Sequence, residues 1–101
     1  MPKLYEYFGL HVFFFANEHE PIHVHGRHQD RESKAELIIV EGHIVNIIMT
    51  DVEGKLPLKG KMRRDFLRLI HEKAEEIRER WIDFFVNNAR NTPEIITRRF
   101  V

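Results

Sequence analysis

From residue 3 to residue 16 the chain alternates with aromatic side chains at most of the apolar positions: Leu4, Tyr5, Tyr7, Phe8, Val12, Phe13, Phe14 and Phe15. A period of two marks strands with two distinct faces. Gly9-Leu10 interrupts the run and suits a two-residue hairpin turn with glycine first, where positive φ is needed. In that register Tyr5, Tyr7, Val12 and Phe14 share one face, and Leu4, Phe8, Phe13 and Phe15 the other. Residues 34 to 50 predict a second hairpin. Leu37-Ile38-Ile39-Val40 and Ile44-Val45-Asn46-Ile47-Ile48-Met49 are dominated by β-branched residues, with Glu41-Gly42 as the tight turn. Between the hairpins, Ile22-His23-Val24-His25 alternates as a short strand opened by Pro21.

The period then changes. From about Pro57 to Asn88, Met62, Phe66, Leu69, Ile70, Ile77, Trp81, Phe84 and Phe85 recur at steps of three and four, one amphipathic stripe. Asn87 to Pro93 ends the helix, and the tail from Glu94 to Val101 is strand-like in composition. Strands first and one long helix last predict an α+β fold. The expected architecture is a small antiparallel sheet of four to five strands, with the long C-terminal helix packed on one face. Residues 1–90 are expected to form the single domain and residues 91–101 a C-terminal arm or tail. One helix covers one face of a sheet this apolar, so a homodimer or another protein partner is expected to seal the other face or pair with an edge.

Composition narrows the classes. At 101 residues, 43% of them apolar, the chain suffices for one core. Lys plus Arg and Asp plus Glu are sixteen each, so no overall field favours nucleic acid or an anionic membrane. Without cysteine there is no disulfide, thiolate metal site or thiol nucleophile. No apolar run approaches the ~20 residues that span a bilayer, and the start lacks a secretory pattern, so a cytoplasmic protein off the membrane is expected.

Candidate chemistry concentrates in histidine. His19, His23, His25 and His28 fall within ten positions, in a segment that also holds Asn17, Glu18 and Glu20. Imidazole is the commonest metal ligand and titrates near neutrality. On a strand His23 and His25 point the same way, roughly 6–7 Å apart at Cβ from the rise per residue. They are the candidate metal ligands, with His19, Glu20 or His28 able to complete a site for a divalent ion from the flanking loops. The spacing is equally that of a polar strand face, and no cofactor is required by it. No nucleophile or paired carboxylate stands at informative spacing for acid–base catalysis, which weighs against an enzyme.

A second patch is basic. Lys55, Lys59, Lys61, Arg63, Arg64 and Arg68 are opposed only by Asp65. Cations at a helix N-terminus oppose the macrodipole at ~0.3–1 kcal/mol apiece. Either the helix begins well before Lys61 or the patch is kept for a partner, nucleic acid being one candidate; with nearly a third of the chain charged, a plain solvated helix face is the favoured alternative.

The run from Tyr7 to His25 carries a resemblance. Its aromatic strand, Asn17-Glu18 and the Pro21-Ile22-His23-Val24-His25 element, followed by the apolar hairpin and a helix bearing Trp81, are similar to the small prokaryotic DUF4160 domains. The resemblance spans roughly residues 3 to 86. It implies a one-domain α+β protein, of a kind sometimes discussed alongside small toxin–antitoxin-like gene pairs and without settled activity. No catalytic role transfers to Asn17, Glu18, Pro21, His23 or His25, and His19, His28 and the tail beyond Asn88 depart from the pattern. The leading expectation is a macromolecular interaction module, antitoxin-like or an accessory partner. The alternatives are metal binding or metal-dependent hydrolysis through the His19–His28 cluster, and nucleic-acid binding through Lys55–Arg68.

Overall fold

The aromatic N-terminal segment folds as a hairpin of β1 (Lys3–Tyr7) and β2 (Leu10–Phe13). These elements come from a computed structural model that describes residues 3–14, 22–87 and 92–100. Tyr7 pairs with Leu10, so the turn is Phe8-Gly9 and not Gly9-Leu10. Phe8 and Gly9 take φ of 47° and 88°, the two successive positive values of the turn whose twist matches a hairpin. Phe8 tolerates its unusual backbone under the Arg99 guanidinium, 4.0 Å above its ring, with Tyr7 edge-on at 4.9 Å. Moving the turn back one residue sets Leu10 opposite Tyr7, and both are buried.

A register irregularity between Lys3 and Tyr5 brings Leu4 and Tyr5 into the same core cluster. The expected division of faces is corrected accordingly. Leu4 joins Tyr5, Tyr7, Val12 and Phe14 in the core, and Phe15 lies outside the described residues.

β3 (His23–His28), β4 (Arg31–Val40) and β5 (His43–Asp51) continue the sheet antiparallel, with β4–β5 joined by the expected Glu41-Gly42 turn. The helix α1 (Gly60–Phe85) buries Phe66, Leu69, Ile70, Ile77 and Trp81, the predicted stripe. At ~1.5–3 kcal/mol per large side chain, this stripe dominates any helical ion pair. No described residue accepts a hydrogen bond from the buried Trp81 Nε1. The approach to α1 is tied to β4: Arg31 donates to the Pro57 carbonyl at 3.0 Å, and the Leu58 N–H donates to Ser33 Oγ at 2.9 Å.

The tail supplies β6 (Glu94–Ile96), parallel to β1, so the sheet has six strands in the order β5-β4-β3-β2-β1-β6 rather than four to five. The clasp is aromatic and cationic. Phe100 stacks on Tyr7 at 5.1 Å and donates its N–H to the Tyr7 hydroxyl at 2.9 Å. Arg80 donates to the carbonyls of Leu4 and Thr92.

Beneath the clasp, the Tyr5 hydroxyl donates to Glu76 at 2.8 Å. Burial, then that hydrogen bond and the Glu76 charge, hold the phenol well above its ordinary pKa of 10. A folded pKa above the unfolded one means stability is complete below about pH 10 and falls as pH rises beyond it. Denaturant titrations at successive alkaline pH values should show this decline in the parent, flattened in Tyr5→Phe. At neutral pH that variant should cost about 1.5–3 kcal/mol, the worth of a hydrogen bond to a charged acceptor.

Direct pairing also defines the sheet face away from α1. The linked pairs Glu6–His11, His11–Arg27, Arg27–Glu32, His25–Lys34 and His23–Glu36 all lie on it. This face is largely polar, which corrects the expectation of a sheet apolar on both sides. Irregularities provide the reason: a shift in β5 lets Ile44 and Ile47, three apart, both pack on the helix side, as the one in β1 does for Leu4 and Tyr5.

Candidate functional site

Gly26 positions the site. A Cβ there would lie 2.5 Å from the Phe66 ring, so only glycine lets β3 lie this close to α1. With Val24 also in the core, alternation turns His23, His25 and Arg27 to the polar face. His25 Nδ1 lies 3.0 Å from Glu32 Oε2, and both side chains are only 3% exposed. Phe13 stacks on His25 at 5.4 Å with planes 12° apart, and His23 meets His25 edge-on at 5.5 Å. The Arg27 guanidinium lies 5.1 Å from the Phe13 ring centre.

Donation from Nδ1 to Glu32 orients the imidazole and leaves Nε2 as its other nitrogen, the way carboxylates hold ligating or proton-transferring histidines. Burial keeps the pair from bulk water. The arrangement therefore rigidifies the polar face, since an orphaned buried donor would cost about 1–3 kcal/mol.

Of the residues singled out from sequence, Asn17, Glu18, His19 and Glu20 lie outside the described residues. His23 and His25 come together. His28 ends the same strand on the opposite face, near the Phe8-Gly9 turn, where its ring would contact a Cβ on Gly9 at 3.4 Å. Among the described residues, no three His, Cys, Asp or Glu gather to hold a metal ion.

The basic residues sit where the dipole resists them. Lys59 is the N-cap with extended backbone, Lys61, Arg63 and Arg64 lie in the first turn, Arg68 follows a turn later, and all five are exposed. The helix does not begin well before Lys61, so that explanation of the patch fails. The first turn has no acidic residue and the last no basic one, leaving charge set against the macrodipole at both ends. Lys61 is relieved by Asp65 at 2.8 Å, which also faces Arg99 at 3.4 Å.

Sequence reasoning missed Glu32, which reads as one more solvated charge. The Gln29-Asp30 turn was the usable signal, because it sets Arg27 opposite Glu32 and places His25 diagonal to it. Gly26 carried no local signal, since its role depends on a helix forty residues away.

Comparison with known families finds a match over most of the chain. The family model described as a domain of unknown function, DUF4160, covers residues 9–82. No curated protein and no solved structure matches the chain. No described helix is long and apolar enough to cross a membrane.

Proposed function

The chain belongs to the DUF4160 family, and we propose that it is an interaction module that joins a second copy of itself along the outer edge of β5. One observation carries this reading. β5 is a nine-residue edge strand with no Lys, Arg or Pro, and it presents Val45 and Ile48 at 58% and 43% exposure beside Val40 at 52%. Monomeric proteins usually guard such edges with charge, proline, bulges or brevity, and from His43 to Thr50 β5 carries only its one register shift. The opposite edge, β6, is three residues long.

A second copy suits the strand because an antiparallel neighbour laid along the same residues is self-complementary. Ile47 meets its own counterpart, and the His43 end of each strand meets the Asp51 end of the other. Such two-fold pairing is the commonest route to a soluble oligomer. Light scattering at micromolar concentration should return twice the chain mass, and a Val45→Lys, Ile48→Lys double variant should return the chain mass with an unchanged circular dichroism spectrum. A monomeric parent, or a double variant that still dimerises, would overturn the reading.

The second reading is nucleic-acid binding through α1, favoured by cations kept in a first turn where they cost stability. Binding to duplex or single-stranded nucleic acid should weaken steeply with salt, and the slope should shrink in Arg63→Gln, Arg64→Gln. An unchanged slope would exclude this surface.

A further inference from the structure

Asn46 is the one polar residue in the run Ile44-Val45-Asn46-Ile47-Ile48-Met49, and asparagine is among the residues least suited to a strand. It stands in the middle of β5, exposed, opposite Ile38 of β4. Its Oδ1 accepts the N–H of the next residue, Ile47, at 2.8 Å, and this hydrogen bond is itself exposed.

Residues of an antiparallel strand alternate in which side receives their N–H and C=O. β4 lies on one side of β5, and the other side is the open edge of the sheet. An amide captured on the exposed side by its neighbour's short side chain is an outward one. Ile47 therefore turns its N–H and C=O to the edge while its side chain packs on the core. In the contact proposed above, Ile47 faces its own counterpart, and the two residues exchange N–H···O=C bonds across the two-fold axis. Each central donor must first leave Asn46.

We propose that Asn46 is a self-cap on the β5 edge, holding the central donor of the unpaired strand and so keeping the joining of two copies weak and reversible. The inference rests on the β5 reading and gives that contact its control. An edge without lysine, arginine or proline is then guarded by a local hydrogen bond of the kind that short polar side chains make to nearby amides.

Sedimentation equilibrium over a dilution series tests it through the dissociation constant. Asn46→Ala removes the acceptor without adding apolar bulk, and Asn46→Gln keeps the amide but carries it one methylene too far. Both should tighten the dimer about tenfold, since two caps are released per dimer and an exposed hydrogen bond is worth little. At dilutions where the chains are single, the Ile47 amide should exchange with water faster in Asn46→Ala than in the parent. A dimeric parent with an equal dissociation constant in Asn46→Ala overturns the cap and leaves the β5 reading standing. If the parent and Asn46→Ala are both monomeric, both readings are overturned. A monomeric parent with a dimeric Asn46→Ala upholds the cap alone, provided that adding Val45→Lys and Ile48→Lys abolishes that dimer. A dimer that survives those two changes overturns it.

Discussion

Gly26→Ala should destabilise the fold by about 1–3 kcal/mol, the usual range for overpacking a filled core. The added methyl would stand 2.5 and 2.6 Å from Cδ1 and Cε1 of Phe66, whose side chain is fully buried on α1. Loss of glycine freedom in the unfolded chain works the other way, by only about 0.4–1 kcal/mol, so the clash wins. Gly26→Val should be worse, since its branches must enter the same ring. Phe66→Leu supplies the control: in that background Gly26→Ala should cost less by 1 kcal/mol or so, a coupling expected only of groups in contact. Denaturant unfolding of the four proteins measures it. Equal stability of Gly26→Ala and the parent would refute the account of how β3 is seated. The site should feel the same change, because pushing β3 away from α1 moves His25 and Arg27 on its far side.

Glu32→Ala should cost about 2–4 kcal/mol, since it strands the His25 Nδ1–H in a place water does not reach. At about 4–8 °C per kcal/mol for a domain of this size, melting should fall by at least roughly 8 °C. Glu32→Gln keeps an oxygen where Nδ1–H can donate and should recover more than half of that loss. A hydrogen-bonding role thereby separates from simple volume, which alanine alone would not show. If both variants melt with the parent, the pair does not hold the polar face together.

Much of the architecture was legible because its signals are local. The three-and-four spacing from Met62 to Phe85 is meaningful only on a helix, and Glu41-Gly42 can occupy consecutive positive-φ positions in a tight turn. The N-terminal turn was misread by one residue because Gly9 suggests where a turn starts. Pairing of Tyr7 with Leu10 in the core, together with Arg99 over Phe8, outweighs the strain of a phenylalanine in the left-handed region. The candidate site was half legible. His23 and His25 follow from alternation, while Glu32 and Phe13 meet His25 only through the registers of two strand pairs.

The chain alone determined the kinds and order of its elements, because periodicity and turn chemistry act over a few residues. Tertiary structure decided what those elements expose. Shifts in β1 and β5 drew greasy residues of both alternation classes to the helix, and the tail became a sixth strand through Arg80 and Phe100. His25 and Glu32 were sealed into one buried pair. Each of these rests on contacts between residues distant in sequence, whose free energy exists only once the sheet has chosen its register.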